Sequence, residues 1–224
     1  HDIQTLKQPF NGATGIETLS LPELMTRKQQ HYKWRLVGNV ILTLVMFTAI
    51  SVILKPVFMF YNHSSFSDCT LSDYMAVIWH GLPMDLSVAG YFTIIPALLA
   101  LISIWLNPTL IRGLHRTYLF FAALVLSVIY CTDAILYDYW HFRIDSTPFF
   151  YFFSSPKDAL ASVSTWWIVF GVAMLLILIF ALFFILVKTL GRLPESKGIA
   201  KDRLIASAIM IVMLGLLFIP IRGS

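Results

Sequence analysis

Five long apolar runs, separated by short polar segments, dominate the chain at residues 36–54, 84–106, 118–136, 166–187 and 204–219. A helix rises about 1.5 Å per residue, so about 20 apolar residues cross a hydrocarbon core of about 30 Å. Each run therefore predicts a membrane-spanning helix. Lys33 and Arg35 stand before the first run, and Lys55 with Pro56 directly after it. Residues 61–73 are polar, and residues 74–82 are semi-apolar but too short to span, which predicts a separate interfacial or re-entrant helix. The expected fold class is an all-α integral membrane protein, with five transmembrane helices and interfacial helices on the outer, periplasmic face. Residues 1–24 have no apolar core of the signal-peptide kind. They read as a leader, appended or mobile, or as a short surface helix before a membrane domain at 25–224.

Composition agrees with this pattern. With 58% hydrophobic and 12% charged residues among 224, too little polar surface exists to close a soluble globule. The net charge of +4 is small and dispersed, which argues against nucleic acid as a partner. The basic residues are better read as topology signals, because Lys and Arg are enriched in short cytoplasmic loops. Residues 25–35 before the first span, the loop between the second and third and the loop between the fourth and fifth hold eleven Lys and Arg. The opposite loops hold three: Lys55, Arg143 and Lys157. This predicts a multi-pass protein of the cell inner (cytoplasmic) membrane, with its N-terminus cytoplasmic and its C-terminus periplasmic. Trp140, Trp166 and Trp167 fall where an outer aromatic belt is expected. The two cysteines, Cys69 and Cys131, have no metal-ligand spacing around them, and a disulfide between them stays open.

Residues 133–158 are dense in both rings and charges. A loop at 137–165 with so many aromatic residues and so many breaks is expected to lie flat in the interface. Ser155, Pro156 and Asp158 have the order of a helix start: a cap, a first-position proline and an acid in the first turn. Arg143 and Lys157 are cations at the level of lipid phosphates. They either anchor the loop to anionic lipid or orient the phosphate of a lipid substrate. Asp85 opens the second span in GLPMDLSVAG. It reads either as an acid complementing the helix dipole after Pro83 or as the partner of an outer-face Arg at a headgroup site. Asp133, near the outer end of the third span, either snorkels to water or pairs with Arg143 or Arg222. His80 and His141 lie near these acids without a ligand-spacing signature, so no metal site is assigned. The chain has no Walker, GxSxG or HExxH sequence, and no catalytic residue is assigned.

Three segments carry a family resemblance: GLPMDLSVAGYFTIIPALL, DAILYDYWHFRIDSTPFFYFFSSPKDALAS and the terminal IPIRGS. They resemble the five-helix N-terminal membrane domain of the lipoteichoic acid synthase and sulfatase-like phosphoglycerol transferase family, particularly its Bacteroidetes-type forms. The resemblance covers roughly residues 25–224. It implies a membrane-anchoring, lipid-presenting domain of a phospholipid-dependent phosphoglycerol or phosphoethanolamine transferase, or of a sulfatase-like hydrolase. It also implies a C-terminal extracytoplasmic catalytic domain after Ser224, with a Thr nucleophile and Mn or Zn, as the domain's own partner. None of that apparatus lies within these residues. On this reading Arg143, Lys157 and Arg222 contact a membrane phospholipid's phosphate, Asp85 and Asp145 orient those cations, and Trp140 with the Phe cluster seats acyl chains. The alternative is a self-contained small transporter, flippase-like protein or scaffold, which predicts a polar path through the bundle.

Overall fold

The structure, a computed structural model, describes residues 21–141, 150, 154, 165–193 and 200–222. Its long helices are α1 (Leu21–Tyr61), α2 (Leu71–Ile102), α3 (Pro108–Trp140), α4 (Thr165–Leu190) and α5 (Ala200–Leu216), followed by the short α6 (Phe218–Arg222). A 3₁₀ turn at His63–Ser65 follows α1, and among the described residues there is no strand. Five stretches are long and apolar enough to cross a membrane: Gln30–Tyr61, Leu71–Ile102, Thr109–Asp138, Ile168–Leu190 and Ala200–Arg222. This is the make-up of a multi-pass membrane protein.

Local chemistry sets the helix limits. Asp73 Oδ2 accepts from the Thr70 backbone N–H at 2.7 Å and from its hydroxyl at 2.8 Å, which closes a capping box and starts α2. The helix then runs through Pro83, so residues 74–82 are not a separate interfacial helix. A proline removes one N–H and crowds one carbonyl, and a helix anchored on both sides of it absorbs that locally. In α3, Asn107 Oδ1 accepts from the Thr109 N–H at 2.9 Å and Pro108 occupies the first turn. His141 ends α3 in the left-handed region at φ 56°, its N–H bonded to the Tyr137 carbonyl at 2.9 Å. Pro220 cannot donate to the carbonyl of Leu216, and the last helix breaks there, at Leu217.

The helices pack as two hairpin-like pairs, α1 with α2 and α3 with α4, joined where α2 meets α3. The α5 and α6 helices lie against α1 and α2. One core contains Leu36, Val40, Ala97, Ala100 and Met210, and another contains Phe47, Ala89, Ala122, Ala123 and Leu186. Alanines at the shared faces suit a bundle whose helices gain by close packing rather than by escaping water. On α4, Ile177, Phe180 and Phe184 remain exposed. Rings uncovered along a whole helix face suit hydrocarbon and would be a liability in water. At the end of the bundle away from Lys55, Lys33 Nζ pairs with Asp202 at 3.0 Å and Trp105 Nε1 donates to Ser207 Oγ at 2.9 Å. Both thiols are free, Cys131 buried and Cys69 half-buried.

Candidate functional site

Charged groups inside a membrane bundle are costly unless paired, so they mark candidate sites. Three of them meet at one depth. Lys55 directly follows the first apolar run, Asp85 is the second residue of the second run, and Asp133 lies in the last turn of the third. Because α1, α2 and α3 alternate in direction, all three residues reach the same edge of the bundle.

Lys55 Nζ donates to Asp85 Oδ2 at 2.5 Å, with the two side chains 18% and 8% exposed. Gly81, one turn before Asp85 on the same face of α2, makes this pair possible. A Cβ at Gly81 would stand 2.1 Å from Lys55 Nζ. The ammonium thus reaches its carboxylate across a position that has no side chain. Asp133 is 2% exposed and forms part of the same cleft wall.

The cleft between α1, α2 and α3 has a volume of about 720 Å³. Lys55, Asp85 and Asp133 supply its charge, Ser51 and Tyr130 add hydroxyls, and Phe58, Met59, Val88 and Leu126 form apolar wall. An aromatic cluster borders it. Phe66 and Tyr137 stack at 5.6 Å, while Phe58 meets Tyr137 edge-on at 5.2 Å. Such offset and edge-on pairs hold their rings in fixed places. A second cleft of about 360 Å³ touches Tyr61, Asp138, Trp166 and Phe170.

The sequence around Asp85 has a further task. Ser87 Oγ donates to the Ile221 carbonyl of α6 at 2.9 Å, and a Cβ at Gly90 would meet Ile221 Cγ1 at 2.7 Å. Asp85, Ser87 and Gly90 therefore hold α1 on one side of α2 and α6 on the other.

Among the residues predicted from sequence, Asp85 is central to the cleft. Its ion-pair partner among the described residues is Lys55, rather than an outer-face Arg. Arg222 is exposed at the end of α6. Trp140 is the last residue of α3, with its side chain outside the described residues. Arg143, Asp145 and Lys157, and the helix start at Ser155, also lie outside them. Sequence reasoning counted Lys55 as a loop cation and read Asp133 as snorkelling or paired with Arg143 or Arg222. The available signal was the position of both at the ends of apolar runs.

Together these groups can hold a polar headgroup of mixed charge beside an apolar surface. Among the described residues no group of three or more His, Cys, Asp or Glu side chains is placed to hold a metal ion. Comparison with family models, with curated proteins and with solved structures finds no match for this chain.

Proposed function

We propose that the chain is the membrane-anchoring, lipid-presenting domain of a phospholipid-dependent transferase of the family it resembles. The supporting observation is the α1, α2 and α3 cleft, in which Lys55, Asp85 and Asp133 lie at one edge of the spans beside a wall of apolar side chains. A phospholipid has the same layout, a charged headgroup joined to acyl chains at the hydrocarbon boundary. Holding the ester bond at a fixed place and angle lowers the orientational cost of a reaction carried out above it. In this reading the Lys55 end faces outward from the inner membrane, and a catalytic domain on that side receives the headgroup. A self-contained transporter fits less well, because these charges gather at one depth rather than midway through the spans.

The test is lipid retention. The purified chain is exchanged from native membranes into detergent, and bound phospholipid is counted by mass spectrometry. Wild type is expected to retain phospholipid, and Val88→Trp, which fills the cleft from α2, to lose it. Equal retention by the two proteins would refute the reading.

A further inference from the structure

We infer that the Ser51 hydroxyl is a recognition point in the cleft, a donor to the ester carbonyl of a glycerophospholipid, so that the site prefers ester-linked over ether-linked lipid. This rests on the lipid-presenting reading above and names the linkage by which the lipid is read.

A serine or threonine inside a membrane helix has no water for its hydroxyl and commonly turns it back to the carbonyl four residues earlier. Thr43 and Thr48 on α1 do so, donating to the Asn39 and Leu44 carbonyls at 2.7 and 2.8 Å. Thr93 on α2 donates to the Ala89 carbonyl at 2.7 Å. Ser51 is the exception on α1. It is 4% exposed and makes no hydrogen bond among the described residues. Ser127 on α3 also lacks a bond, but its oxygen is enclosed, whereas the Ser51 oxygen opens into the cleft that Ser51 lines. Val88, Phe92 and Leu126 make that part of the cleft apolar. A buried donor without an acceptor is unfavourable in such surroundings, and a ligand that brings one gains the bond.

The position of Ser51 says which acceptor fits. It lies one turn before Lys55 on the same face of α1, about 6 Å deeper in the bundle. Lys55 gives one of its three N–H donors to Asp85 and can turn another to a phosphate oxygen. In a glycerophospholipid an ester carbonyl oxygen stands six bonds from the phosphorus, about 7 Å along an extended link. A phosphate held at Lys55 therefore brings that carbonyl to the level of Ser51. An ether-linked lipid has the same length and charge, with a methylene where the carbonyl would be. Below Ser51 the cleft closes. Its α2 wall ends at Phe92 and its α3 wall at Leu126, each seven residues deeper than the aspartate of its helix, Asp85 and Asp133. Phe92 stacks on Phe47 at 5.2 Å, and Phe47 is buried. Room remains there for the first few chain carbons, so the contact reads the linkage and not the chain length.

The experiment places the purified chain in bilayer nanodiscs that hold equal amounts of a dioleoyl diester phospholipid and its dioleyl diether analogue. It is run once with phosphatidylglycerol and once with phosphatidylethanolamine, so that headgroup and chains match within each run. Lipids that stay bound are counted by native mass spectrometry, which separates the pair by the mass of the carbonyl oxygens. The diester is expected to be enriched about fivefold, the size of one neutral hydrogen bond. Ser51→Ala is expected to erase that preference, and Thr48→Ala, which removes a hydroxyl already bonded to its own helix, to keep it. The wild-type competition stands without either variant. Equal retention of diester and diether would overturn the inference, leaving Ser51 a hydroxyl that meets water alone, and would leave the lipid-presenting reading intact. A preference that survives Ser51→Ala would overturn Ser51 as the group that reads the linkage. Retention of neither lipid in both runs would overturn the lipid-presenting reading as well.

Discussion

The Tyr118 hydroxyl on α3 donates to the Phe92 carbonyl on α2 at 2.6 Å. Four residues after Phe92 stands Pro96, which has no N–H to return to that carbonyl. A neighbouring helix thus supplies the donor that the proline lacks, where lipid supplies none. Tyr118→Phe is expected to lower stability by about 1 kcal/mol. In a Pro96→Ala background, where the amide is restored, the loss shrinks. Unfolding by SDS titration in mixed micelles measures both, and equal losses would assign the hydroxyl another task.

The Lys55 and Asp85 pair is expected to be strongly non-additive. Lys55→Met leaves a carboxylate buried without its partner, at a cost of about 3 kcal/mol. Asp85→Leu strands the ammonium in the same way. The double variant removes both charges and is expected to be less destabilised than the sum of the two single variants. Thermal melting in detergent of the four proteins decides this, and simple additivity would show that the two charges do not depend on each other.

Gly81→Ala tests the clearance. The new methyl meets the far end of a flexible side chain, so the helix survives and the ion pair gives way. The loss is expected to be on the order of 1 kcal/mol with Lys55 present. In a Lys55→Met background it falls toward zero, since alanine also favours helix over glycine. The same melting assay reads both, and an equal loss in the two backgrounds would mean that Gly81 serves backbone packing instead.

The two cysteines report on burial and orientation. Cys131 is buried and Cys69 is half-buried between the 3₁₀ turn and α2. In the folded protein Cys69 is expected to react with a maleimide and Cys131 to react after denaturation alone. With a membrane-impermeant maleimide, intact spheroplasts are expected to label Cys69. Labelling confined to inverted vesicles would place the Lys55 end on the cytoplasmic side.

Hydropathy was enough to find the spans, because a run of apolar residues about 20 long has few other uses. The chemistry within them was harder to read. Pro83 suggested a helix boundary, yet the Thr70 and Asp73 capping box had already begun the helix a full three turns earlier. That box is legible in TLSD, a start signal that outweighs the proline. Lys55 was overlooked for a different reason. Its partner lies thirty residues away on an antiparallel helix, and which faces of α1 and α2 meet is decided by packing that no local pattern encodes. Gly81 and Asp85 both fall in the GLPMDLSVAG segment that carries the family resemblance, and the physical reason for their spacing is Lys55 lying across it. Asp133 reads from sequence as snorkelling to water or pairing with Arg143 or Arg222; a single helix shows nothing of α1 and α2, with which it lines the cleft, and Arg143 lies outside the described residues.

Two greasy rods in a bilayer have little to fix their vertical offset, since sliding one past the other trades apolar contacts for nearly equal ones. The gap at Gly81 is one residue wide, and the ammonium of Lys55 crosses α2 there to reach Asp85. Sliding α1 by a single turn, about 5.4 Å, would drive the ammonium into side chains and away from Asp85. The pair therefore acts as a latch on elevation, setting the level in the membrane at which the whole cleft is assembled.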